Sequence, residues 1–104
     1  MAHEILVGLE VINDIQYSKY REAMMPILIE HEGEFTYDFK ISEVLKSNTE
    51  DKINRVFTIS FSCIEKMDEF FSNKEYLLIK ETYFSSSVKS TTIISSYNKK
   101  KIKY

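Results

Sequence analysis

Few groups in this chain could move a proton or hold an ion, and their spacing decides what they could do. Glu10 and Asp38 fall in two alternating segments, where both could reach one sheet face. Paired carboxylates can raise one pKa and create a general base. Lys40 or Arg55 could neutralise them; structural ion pairs produce the same constellation and are the favoured reading. His31 is the only histidine expected inside the fold, because His3 precedes the first alternating run. Near a helix end, a lone histidine serves more often as a partner for the C-terminal dipole than as a base or ligand. There is no HxxxH, no HxH and no cysteine pair, so neither a metal nor another cofactor is expected. Cys63 stands beside a helix N-terminus, where a thiol pKa can fall, yet no histidine base is near it in sequence; a small buried hydrophobe is the better reading. Of seven tyrosines and seven phenylalanines most occupy core positions, which leaves Tyr17, Tyr20 and Tyr83 as candidate pocket liners.

The elements that must position these groups are legible in the patterning. Residues 4–12 alternate with both sides largely apolar, as in a central strand. "NDIQ" is a capping box with Asn13 as N-cap and Gln16 reaching back, and Ile12 and Tyr17 could staple it. The helix then carries Tyr17, Tyr20, Met24, Ile27, Leu28 and His31 at steps of three and four. Pro26 predicts a kink near Met25, and Gly33 the helix stop. "EFTYDFKISEV", 34–44, is a strand with Phe35, Tyr37, Phe39 and Ile41 on one side and Thr36, Asp38, Lys40 and Ser42 on the other. "KSNTEDKIN", 46–54, is a loop, the most mobile stretch expected. "RVFTISFS" returns to strand alternation. Ser62 and Glu65 form a second capping box for a short helix, and Asn73 caps another in which Tyr76, Ile79, Lys80 and Tyr83 share a face. "KSTTIISSY", 89–97, is β-branched and reads as the last strand.

Strand, helix, strand, then strand, helices, strand gives an α+β fold: a ferredoxin-like βαββαβ sandwich, a four-stranded antiparallel sheet with helices on one face. One domain over 1–98 and a basic tail over 99–104 account for the chain of 104 residues. Its 43% hydrophobic and 29% charged residues are those of a globular protein, and two glycines and one proline leave little room for irregular backbone. A net charge of −2 argues against nucleic acid as a partner. The start, "MAHEILVGLEVI", has no basic n-region and carries Glu4 and Glu10 through its apolar run, so it does not read as a signal peptide. With no membrane span and one cysteine, a cytoplasmic protein is expected.

Helices on one face leave the other uncovered. With the odd-numbered stripe of the first three strands under the helices, the uncovered side would carry Leu6, Gly8, Glu10, Ile12, Thr36, Asp38, Lys40, Val56, Thr58 and Ser60. Part of that surface is apolar, a liability if wet, and a second copy packed by a two-fold axis would remove it and close a barrel-like space.

"VINDIQYSKYREAMMPILIEHEGEF", "INRVFTISF" and "FFSNKEYLLIKETYFSSSVKSTTIISSY" resemble the DUF1330 family of small bacterial proteins over nearly the whole chain except the tail. The most specific parts are the Tyr17 and Tyr20 spacing with Pro26, His31 to Gly33, and "SNKEY" at Ser72 to Tyr76. The family is similar in fold to the dimeric α/β barrels, which also include cofactor-independent monooxygenases and haem-degrading enzymes. The resemblance implies a homodimer and names no activity. Two positions depart from the family. Tyr83 stands where many members carry an arginine, which would remove an anchor for an anionic ligand, and Glu32 replaces the first glycine of "HGG".

RNA-recognition motifs share this topology, but "RVFTISF" has neither glycine of their signature, and Phe57 and Phe61 belong to the helix-covered stripe. Two functions remain open. One is a homodimer binding a small apolar or aromatic molecule, with cofactor-free chemistry as an extension and Glu10, His31, Asp38, Lys40 and Arg55 as its polar groups. The other is a structural or interaction protein whose sheet face is only the dimer interface.

Overall fold

The structure, a computed structural model, describes residues 1–100. Along the chain run β1 (Ala2–Val11), α1 (Asp14–Glu30), β2 (Gly33–Lys40), β3 (Arg55–Phe61), α2 (Ile64–Ser72), α3 (Lys74–Ile79), a π-helical turn (Lys80–Phe84) and β4 (Val88–Lys99). The strands form one antiparallel sheet in the order β2-β3-β1-β4. This is the expected ferredoxin-like α+β sandwich. Ile5, Val7, Leu9, Val11, Phe57, Ile59 and Phe61 of the two central strands form a single buried cluster with Tyr17, Tyr20, Met24, Ile27 and Leu28 of α1, and with Phe70 and Tyr76.

Local rules account for several element ends. The Asn13 carboxamide accepts the Gln16 N–H at 3.1 Å and opens α1, which runs unbroken past Pro26. Asn73 ends α2 and caps α3 by accepting the Tyr76 N–H at 3.0 Å. Other ends differ from expectation. The N-cap of α2 is Cys63, one residue beyond Ser62, and makes no side-chain capping bond. β1 starts early enough to include His3, which is 7% exposed. Its ring nitrogens lie 3.0 Å from Asn98 Oδ1 and 2.7 Å from Ser96 Oγ, so His31 is not the only histidine inside the fold. β2 stops at Lys40, four residues short of expectation. β4 continues to Lys99, the first residue of the expected basic tail; residues 101–104 of that tail lie outside the described residues.

The turn between α1 and β2 corrects the role given to Gly33. The left-handed residue there is Glu32, at φ 57°, a conformation that costs a side chain about 1–2 kcal/mol. Gly33 is needed for space. A Cβ on it would lie 2.4 Å from Leu28 Cδ1 and 2.8 Å from Phe61 Cε1. Gly33→Ala therefore forces the packed Leu28 and Phe61 side chains to shift, and urea unfolding should show a loss of about 2 kcal/mol.

A bulge in β2 overturns the expected facing of its second half. Phe35 pairs with Ile59, but Tyr37 pairs with Thr58, so one residue, Thr36, is extra. Beyond it every side chain changes face. Tyr37 and Phe39 turn to the uncovered side, where they stack at 6.0 Å and stay 59% and 52% exposed. Asp38 and Lys40 turn to the helix side, opposite Phe57 and Arg55. The sequence expectation had these two pairs reversed.

Candidate functional site

Between the sheet and the helices lies a cavity of about 500 Å³. The sheet contributes Ile5, Val7, Leu9, Phe35, Phe57 and Ile59, and α1 contributes Tyr17, Tyr20 and Met24. Met67, Phe71 and Tyr76 form the wall made by α2 and α3. Phe71, Lys80, Thr91 and Ile93 also line the cavity and are exposed, so its mouth opens between the edge strand β4 and the helical side. Size and lining match those of small-molecule sites: mostly apolar walls with a few convergent polar groups.

The polar groups at its inner end are phenols. The Tyr20 and Tyr76 hydroxyls bond each other at 2.8 Å, which satisfies a buried donor and acceptor together. Burial raises the pKa of Tyr17, Tyr20 and Tyr76; for Tyr20 the neighbouring Tyr76 adds to the rise. All three are therefore neutral at ordinary pH. The Tyr17 hydroxyl accepts an N–H from Arg21 at 2.9 Å, leaving its own O–H free to donate.

Behind Tyr17 stands an ion cluster. Asp38 accepts from Arg21 Nη2 at 3.0 Å and from Arg55 Nε and Nη2, each at 2.8 Å. Burial works to raise the Asp38 pKa, but the bonds and charge of Arg55 and Arg21 outweigh it and hold the carboxyl below its usual range. The Arg21 guanidinium lies 3.6 Å from the Phe35 ring centroid and that of Arg55 5.1 Å from the Tyr17 ring. The cluster fixes the outer side of the cavity wall.

Of the residues singled out from sequence, Tyr17 and Tyr20 line this cavity, and Asp38 and Arg55 support it from behind. Lys40 and Arg55 border a separate depression of about 190 Å³ with Val11, Asp14, Ile41 and Asn54. Tyr83 is half-buried against the core without lining the cavity. His31 caps α1: its Nδ1–H donates to the Ile27 carbonyl at 2.8 Å, and its ring meets Phe70 edge-on. Glu10 lies on the opposite sheet face from Asp38, so the proposed carboxylate pair does not form. Gly8 makes room for the chain's own loop, because Ile53 would touch a Cβ there at 3.0 Å.

Sequence reasoning missed the most buried carboxylate. Glu4, 3% exposed on the uncovered face, accepts from Ser60 at 2.5 Å, Thr36 at 2.8 Å and Lys99 at 3.3 Å, and also from Tyr97. Burial would raise its pKa, yet the bonds from Ser60, Tyr97, Thr36 and Lys99 lower it to about 2. A charged residue inside the run "HEILV" was the available signal. Arg21 carried one too, lying four residues after Tyr17 on the same helix face. Among the described residues no group of three or more His, Cys, Asp or Glu side chains could hold a metal, and no helix is long and apolar enough to cross a membrane.

No protein-family model and no curated protein matches the chain. Solved structures do. A protein of unknown function from Rhodopseudomonas palustris is similar at TM-score 0.78 and 12% identity, over 97% of this chain and 84% of that one. A dabb family protein with a ferredoxin-like fold from Mesorhizobium loti is similar at TM-score 0.65 and 8% identity, over 96% and 98%. A dimeric protein of unknown function with a ferredoxin-like fold from Bacteroides fragilis is similar at TM-score 0.59 and 10% identity, over 92% and 94%. At such identities the likeness establishes the fold, the ferredoxin-like α+β sandwich, and leaves activity to the site itself.

Proposed function

We propose that this protein is a DUF1330-like homodimer that holds a small apolar or aromatic molecule in the cavity between sheet and helices. The cavity carries the reading: about 500 Å³ of space walled by aliphatic and aromatic side chains, with phenol hydroxyls at its inner end. The Tyr17 O–H can donate to one acceptor on the ligand, and the rings supply flat contact area. Phenols that burial keeps neutral, set among aliphatic and aromatic walls, support holding a molecule over transforming it. The lone Cys63 supports a reducing, cytoplasmic setting.

The dimer rests on the uncovered sheet face. Tyr37 and Phe39 stand there largely exposed beside Leu6 and Val56, an apolar surface that a second sheet would cover. The Bacteroides fragilis neighbour is described as dimeric. The stacked aromatic pair also favours the second reading, an interaction protein that uses this face and no ligand. The two are separated by a neutral aromatic probe. Naphthylethanol should raise the melting temperature of the wild type by mass action and leave Met24→Trp, which fills the cavity, unmoved. No shift in either would sink the binding reading. Light scattering should show a dimer that Phe39→Asp converts to a monomer; a wild-type monomer would remove the assembly.

A further inference from the structure

Building on the cavity reading, we propose that the ligand is an apolar molecule bearing one terminal carboxylate, seated with its apolar body inward and its anion on the Lys80 ammonium at the mouth. Among the described residues Lys80 is the single charged side chain in the lining. It begins the π-helical turn after α3 and lies on the exposed rim. Among the described residues its ammonium has no ion-pair partner, and it lies 5.8 Å from the centroid of the Phe84 ring. A lysine stem laid along apolar surface with its head at the rim is the arrangement by which an amphipathic side chain serves two media.

The inner end sets the orientation. Tyr20 and Tyr76 satisfy each other and Tyr17 has only a neutral O–H to give, so the residues lining the deep wall offer no charge to an anion. A carboxylate placed there would be desolvated without a counter-ion, a costly arrangement. At the mouth it would keep water on one side and gain a charge-assisted hydrogen bond from Lys80 on the other. A cationic ligand meets repulsion at the same point. One ammonium balances one negative charge, which favours a carboxylate over a doubly charged phosphate ester.

Naphthylacetate and naphthylethanol, near-isosteric anion and alcohol, test this by calorimetric titration of the full chain. Wild type should bind naphthylacetate the more tightly. Lys80→Met, which keeps the stem, should weaken naphthylacetate by about tenfold and leave naphthylethanol unchanged. Lys80→Glu should weaken naphthylacetate further. Equal affinities in wild type, or a naphthylacetate affinity untouched by Lys80→Met, would overturn the role of Lys80 while leaving the cavity reading intact. Failure of both probes to bind would overturn the cavity reading as well.

Discussion

Phe70→Ala should lower the unfolding free energy by about 3–5 kcal/mol, the largest single loss expected from this core. Phe70 has no exposed surface, and its ring is surrounded by others: Tyr76 at 4.4 Å, Phe71 at 5.0 Å, Phe61 at 5.6 Å and His31 at 6.0 Å. These neighbours belong to α3, α2, β3 and the end of α1, so they cannot all collapse into the space a methyl leaves. The loss therefore combines burial with a residual cavity. Denaturant unfolding measures it as a fall in midpoint at constant slope. Phe70→Leu, which keeps most of the volume, should cost less than half as much. A loss below about 1 kcal/mol for the alanine variant would mean that α2 repacks freely and that the interior around Phe70 is not close-packed. The same substitution loosens the wall made by Met67, Phe71 and Tyr76, so probe binding should weaken with stability.

The second large effect belongs to Glu4. Its carboxyl lies at about 2 in the folded chain against an ordinary 4.5. A depressed carboxylate contributes stability that is fully present above the unfolded value and is lost as pH falls through the folded one. Glu4 should therefore contribute about 3 kcal/mol at neutral pH, lost progressively between about 4.5 and about 2. Asp38, also lowered, acts in the same direction. Glu4→Gln should cost a similar amount at neutral pH, because Ser60, Thr36, Tyr97 and Lys99 then face an amide carrying donors of its own. Its stability should also fall less steeply on acidification, which a series of urea titrations across that window would reveal. An unchanged acid slope would remove Glu4 as the source. An alkaline counterpart follows from Tyr97, whose hydroxyl is pushed up to about 12 by its bond to Glu4 and by burial. A raised phenol stabilises below its ordinary value of 10.0, and that contribution disappears as pH climbs toward 12.

Much of the fold was legible from local patterns. Alternation in 4–12 and 55–61 marked the two central strands, and the Asn13 and Asn73 caps placed two helix starts. The spacing of Tyr17, Tyr20 and Met24 marked the buried side of α1, and that side became one wall of the cavity. These signals survive because each is set by a few adjacent residues: the strand period of two, the helix period of 3.6, and a side chain bonding its own backbone three residues on.

What failed depended on partners distant in sequence. "FTYDFK" alternates cleanly, yet the extra residue at Thr36 exists only because β2 must pair with β3 while Thr36 reaches Glu4 and Thr58. That single insertion sent Asp38 to Arg21 and Arg55, dissolved the carboxylate pair with Glu10, and turned Tyr37 and Phe39 outward. The Glu4 site draws donors from β2, β3 and β4, up to 95 residues away, and no window of sequence contains them. The amino-acid order thus determined which segments become strands and helices and which of their sides are apolar, because those preferences are local. Only the assembled sheet decided which face each polar group occupies and where space remains between the layers, because register and cavities are properties of paired elements.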